Sequence, residues 1–122
     1  MPVVTAAEAP RFDTGGAIIT GLAAPSRGAS DTAAWTVELA ADVPSPKHSL
    51  THQEVFVVLE GAVTATFAEH EETAEAGGAL IVPARTEFSL CSRGGPARAV
   101  CVFPVGARAI AEAAEFTPPW AA

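Results

Sequence analysis

The sequence predicts an all-β protein, and three observations carry that reading. Short apolar runs recur at even spacing along its 122 residues, and several alternate apolar with polar side chains. Glycine and proline clusters punctuate the gaps between them. Only one short segment, near the C-terminus, favours helix. Together these describe a sandwich or barrel of short strands.

Residues 3–10 are a loose, alanine-rich arm, and Gly15-Gly16 opens a strand over 17–22. Pro25-Ser-Arg-Gly28 and Ser30-Asp31 are turn chemistry. Trp35, Val37 and Leu39 alternate with Thr36 and Glu38, the pattern of a half-buried strand over 34–40. Pro44 and Pro46 forbid helix and limit ladder pairing, which makes 42–47 an edge or loop. Val55 to Leu59 is apolar at every position and predicts a strand buried on both faces. Glu60-Gly61 turns the chain into a strand alternating Val63, Ala65 and Phe67 with Thr64 and Thr66. Glu69-His70-Glu71-Glu72 reads as a charged, solvated hairpin tip. Gly77-Gly78 leads into Leu80-Ile-Val82, which Pro83 stops. Strands over 86–91 and 100–105 flank the tight connection Arg93-Gly-Gly-Pro96. Ala, Glu and Arg over 107–115 favour two helical turns, and Phe116 to Trp120 ends in bulky rings and prolines. One domain over 1–122 is expected, with a core over about 15–106 and a tail over 107–122.

Composition bounds the function. Hydrophobic residues are 49% of the chain, charged residues only 17%, and the net charge is -7. That balance argues against nucleic acid, whose phosphates require a basic face, and against an anionic membrane surface. No apolar run approaches the roughly 20 residues of a membrane helix, and no secretory leader is evident, so a cytoplasmic protein is expected. Cys91 and Cys101 lie in apolar surroundings without redox or metal spacing and read as buried, inert thiols.

The chemistry concentrates in His48-Ser-Leu-Thr-His52-Gln-Glu54. His48, Leu50, His52, Glu54, Phe56 and Val58 would share one face of a continuous strand. His52 and Glu54, about 7 Å apart on a strand, could converge on one ion; His48 and His52, about 13 Å apart, could do so only if the chain bends. Imidazole plus carboxylate suits a divalent transition metal, and His48, His52 and Glu54 are the candidate ligands. The alternative is that His52 faces water. Without metal, His48 and Glu54 could work as base and acid on a small carbonyl compound, with His52 a second candidate, or simply satisfy each other as a polar pair. The metal-free alternatives are preferred. Trp35, Leu50, Phe56 and Phe88 are expected to line a pocket, with Phe103 in the core. Arg98 could face a pocket anion but fits a surface role better, and Trp120 should cap an apolar seam within the chain or across a dimer.

This segment resembles the first motif of the cupin family, G-x5-H-x-H-x(3,4)-E-x6-G, with His48, Glu54 and Gly61 matching. The second motif, G-x5-P-x-G-x2-H-x3-N, is matched by Gly77 and Pro83 at the right spacing. The resemblance implies a single cupin domain, a double-stranded β-helix or jelly-roll barrel, followed by a short C-terminal helical segment. It also implies a homodimer. The departures fall on functional positions: Asp42 and Arg85 replace glycines, Leu50 and Phe88 replace metal histidines, and Ser92 replaces asparagine. The resemblance therefore leaves three functions open. One is a small bacterial enzyme of isomerase, cyclase or oxygenase type using His48, His52 and Glu54. The second is a non-catalytic binder of a small apolar molecule, and the third is a structural protein.

Overall fold

The computed structural model describes residues 2–122, and their regular structure is strands with two short 3-10 turns. The strands are β1 (Arg11–Asp13), β2 (Ala17–Ala23), β3 (Thr32–Leu39), β4 (Ser49–Leu50), β5 (Glu54–Glu60), β6 (Ala62–Thr66), β7 (Glu71–Glu75), β8 (Ala79–Val82), β9 (Ser89–Cys91), β10 (Ala97–Pro104), β11 (Ala109–Ala111) and β12 (Ala114–Phe116). They form a six-stranded sheet in the order β1-β2-β3-β10-β5-β8, and two three-stranded sheets, β12-β11-β4 and β7-β6-β9. Every ladder pair is antiparallel.

One face of the six-stranded sheet is the floor of the core. Period-two alternation puts Trp35, Val37 and Leu39 of β3 on that face, with Ala99, Cys101 and Phe103 of β10. Register sets Cys101 opposite Trp35 on one side and Phe56 on the other, and Phe56 opposite Leu80. Trp35 and Phe103 meet edge to face at 4.8 Å between centroids. Each such large side chain contributes about 1.5–3 kcal/mol over its exposed state.

The turns explain two departures from glycine. Asp42 and Arg85 stand where the motifs carry glycine, and both keep a left-handed backbone, with φ of 60° and 57°. Backbone hydrogen bonds from Asp42 N to Ser92 O and from Arg85 N to Leu50 O hold them there. Gly61 has no such freedom to vary. Its φ is 72°, and a Cβ would lie 2.5 Å from the Pro96 carbonyl oxygen.

Three expectations are corrected. Residues 107–115 are not helical: β11 and β12 form a hairpin whose turn residues Glu112 and Ala113 have φ of 50° and 65°. An isolated helix of that length is marginal, whereas the strand pairs with β4 and buries Ala109. The C-terminal turn that does form is a 3-10 turn over Pro119–Ala121. Strand β5 is not buried on both faces: Glu54, Phe56 and Val58 point inward, while Val57 and Leu59 are 37% and 43% exposed. Nothing in the described chain covers the outer face of the sheet at β5 and β8. The charged tip lies earlier than expected, at Phe67–His70, because Glu71 and Glu72 belong to β7.

Candidate functional site

Between the six-stranded sheet and the β12-β11-β4 sheet lies a cavity of about 580 Å³. That is within the range of small-molecule sites. Its floor is Trp35, Val37, Phe56, Cys101 and Phe103, and its roof includes Leu50, Ala109, Ala111 and Phe116. The C-terminal turn closes one side with Pro118 and Trp120. Trp120 caps the seam within the chain, packed on Phe12 and Trp35, and its carbonyl accepts from Arg27.

Glu54 is the buried carboxyl of this cavity. As the first residue of β5 it shares the inward face with Phe56, and it is 3% exposed. Among the described residues no group hydrogen-bonds or ion-pairs with its carboxyl. Desolvation pushes its pKa up from 4.5 to about 8, so at neutral pH it is a carboxylic acid. Cys101 faces the same cavity, and burial, with a contribution from the neighbouring Glu54, holds its thiol well above the ordinary range.

His48 lines the cavity but does not pair with Glu54. Reciprocal backbone bonds with Phe88 fix it, and its ring packs at 4.5 Å from that of Phe88. Its Nδ1 lies 2.9 Å from the Pro46 carbonyl oxygen. A carbonyl only accepts, so Nδ1 carries the proton and, in neutral imidazole, Nε2 carries the lone pair.

The chain does bend between His48 and Glu54, but the bend turns His52 away. β4 and β5 belong to different sheets, and residues 51–53 between them form the bend. The Thr51 hydroxyl accepts from Arg108 N and bonds His52 Nδ1, and His52 is exposed. Trp35, Leu50 and Phe56 line the cavity, whereas Phe88 does not. Its ring is enclosed by His48, Phe56 and Phe67, which makes it core. Arg98 is exposed and lies with Glu38 and Glu60 in an adjoining groove, which shares Gly15, Gly16, Ala17 and Leu39 with the cavity lining. His70 is exposed, stacked on Phe67. Cys91 and Cys101 are free thiols, and only Cys101 is fully buried. Sequence reasoning missed Cys101, Trp120 and the β11–β12 hairpin as parts of the cavity. The alternation Ala97, Ala99, Cys101, Phe103 was the available signal for the first; the other two depend on how the tail folds back.

The family model of the cupin domain matches residues 35–103, and the chain belongs to that family. A search of curated proteins found no match. Solved structures share the fold. The polyketide cyclase RemF from Streptomyces resistomycificus is 17% identical, with 98% of this chain and 82% of that one covered and a TM-score of 0.74. KdgF from Halomonas sp. is 16% identical, with 84% and 93% covered and a TM-score of 0.70. An oxalate decarboxylase from Bacillus subtilis is 12% identical, with 87% and 29% covered and a TM-score of 0.78.

Family membership raises the question of a metal, and the donors here do not fit one. Of the four motif positions that would ligate it, His48 and Glu54 remain, while Leu50 and Phe88 are apolar and buried. His52 faces out, and no three His, Cys, Asp or Glu side chains among the described residues converge as a metal site. Two protein donors fall short of the three or four that hold a transition metal.

Proposed function

We propose that this protein binds a small, largely apolar metabolite inside a jelly-roll barrel formed by its three sheets. The observation that carries the proposal is the cavity between the sheets, whose lining is apolar apart from a few groups and holds one buried, unpartnered carboxyl at Glu54. The chain contains two tryptophans and no tyrosine, and Trp35 and Trp120 both line the cavity, so its own fluorescence reports occupancy. The test is titration with the neutral probe N-phenyl-1-naphthylamine, read by energy transfer from tryptophan. Saturable binding with one site per chain is expected, and Ala111→Trp, which fills the roof, should abolish it. Binding that does not saturate, or that Ala111→Trp leaves unchanged, overturns the proposal.

A catalytic reading is favoured by the tautomer at His48. A base at Nε2 and an acid at Glu54 on one cavity suit enolisation of a bound ketone. In that step the α C–H bond breaks and its proton passes to Nε2. The Glu54 proton passes to the carbonyl oxygen, and the electron pair forms the enol double bond. Deuterium uptake at the α-carbon of 1-tetralone, followed by NMR, should exceed the buffer rate. It should fall by about 10²–10⁴-fold in His48→Gln. Equal uptake with and without protein leaves the binding reading alone.

We also propose a homodimer through the outer face of β5 and β8, where Val57, Leu59 and Ile81 are exposed on the same face of the sheet, Ile81 opposite Val55 in the ladder. A monomeric mass by light scattering at micromolar concentration overturns it.

A further inference from the structure

We infer that the ligand of this cavity is an uncharged, ring-bearing molecule that presents an acceptor oxygen, such as a ketone, to the carboxyl of Glu54. The inference rests on the reading that the cavity is the binding site, and it names the chemical class that the lining admits.

Charge is the first constraint. No lysine or arginine lines the cavity, and its ionisable groups are Glu54, His48 and Cys101. A carboxylate or phosphate ligand would be buried there without a fixed cation and beside an acidic side chain, which is costly. The net charge of -7 adds no attraction for an anion. Arg98, which could have supplied the cation, is exposed in the adjoining groove and is not part of the cavity lining.

Hydrogen bonding is the second constraint. The Glu54 carboxyl, on the inward face of β5, makes no hydrogen bond to another described residue, and the indole N–H of Trp120 in the same lining is a buried donor without a partner. Buried polar groups ordinarily have partners, and an empty one in a cavity wall marks where a ligand supplies it. In its neutral state the carboxyl has one O–H to donate, and the complement is an acceptor oxygen. A saturated hydrocarbon would leave it unpaired.

Shape is the third constraint. Trp35, Phe56, Phe103, Phe116 and Trp120 contribute rings to the lining. Trp35 meets Phe103 at 74° and Trp120 at 54°, so the rings around the cavity are steeply inclined to one another. Flat ring systems exploit such walls through stacking and edge contacts.

The experiment compares three compounds on one carbon skeleton as competitors of N-phenyl-1-naphthylamine. They are 1-tetralone, tetralin and 1,2,3,4-tetrahydro-1-naphthoate. At pH 6 the ketone should displace the probe about five- to tenfold better than the hydrocarbon, the worth of one neutral hydrogen bond. The carboxylate should be weaker than the ketone by on the order of a hundredfold. Glu54→Leu should erase the margin of ketone over hydrocarbon while keeping hydrocarbon binding, which also reports an intact cavity. Glu54→Gln, whose amide still donates, should keep the margin. Equal displacement by ketone and hydrocarbon in the wild type, a margin that survives Glu54→Leu, or comparable binding of the carboxylate each overturns the inference and leaves the cavity reading standing. Failure of the probe itself to bind overturns the cavity reading first.

Discussion

Removing the ionisable group at residue 54 should change how stability depends on pH. Glu54→Gln keeps the size of the side chain and takes away its titration. In the folded wild type the carboxyl has a pKa of about 8, raised from 4.5 by burial, whereas in the unfolded chain it titrates in water near 4.5. Between those values the unfolded chain has released a proton that the folded chain retains. Rising pH therefore favours unfolding. The contribution of the neutral acid is fully present below 4.5 and is lost as pH rises through 8. Each pH unit in that window removes about 1.4 kcal/mol, so the full window removes about 5 kcal/mol. That is an upper figure, because water entering the cavity would solvate the carboxylate. It is nonetheless comparable to the whole stability of a small domain, about 5–15 kcal/mol. The assay is urea unfolding at pH 5, 6, 7 and 8, followed by tryptophan fluorescence, for both proteins. The other titrating groups cancel in the difference, so the Gln variant should gain on the wild type steadily with pH. Parallel curves would refute the reasoning, since they would mean that Glu54 is solvated or ionised in the folded chain.

Three further outcomes follow from the backbone and the outer face. Gly61→Ala should destabilise by roughly 1–3 kcal/mol in the same urea assay, because its left-handed backbone and the Pro96 carbonyl leave no room for a Cβ. Ala113→Gly should act oppositely: Ala113 sits at φ 65° in the β11–β12 turn, and relief of that strain should raise stability by about 1 kcal/mol in thermal unfolding. Leu59→Glu, on the exposed face of β5, should change monomer stability by about 0.5 kcal/mol or less, yet shift the mass measured by light scattering from dimer to monomer.

The sequence by itself determined the all-β class, the family and the inward set on β3, because period-two alternation and the turn glycines are local signals. Gly61, Gly77 and Pro83 mark turns whose geometry depends on few neighbours. Glu54 was legible as a candidate for the same reason: it has the parity of Phe56 and Val58. What only the tertiary structure decided is the membership and state of the site. Whether His52 joins His48 depended on the bend at 51–53 and on Thr51 being held by Arg108, a contact across 57 residues of sequence. Residues 107–115 of the tail read as two helical turns from their alanines, glutamates and arginine. They become a hairpin because β4 offers an unpaired edge, and that hairpin roofs the cavity. The elevated pKa of Glu54 has the same origin. Desolvation depends on every surface that closes over a side chain, and those surfaces come from distant strands that spacing along one segment does not reveal.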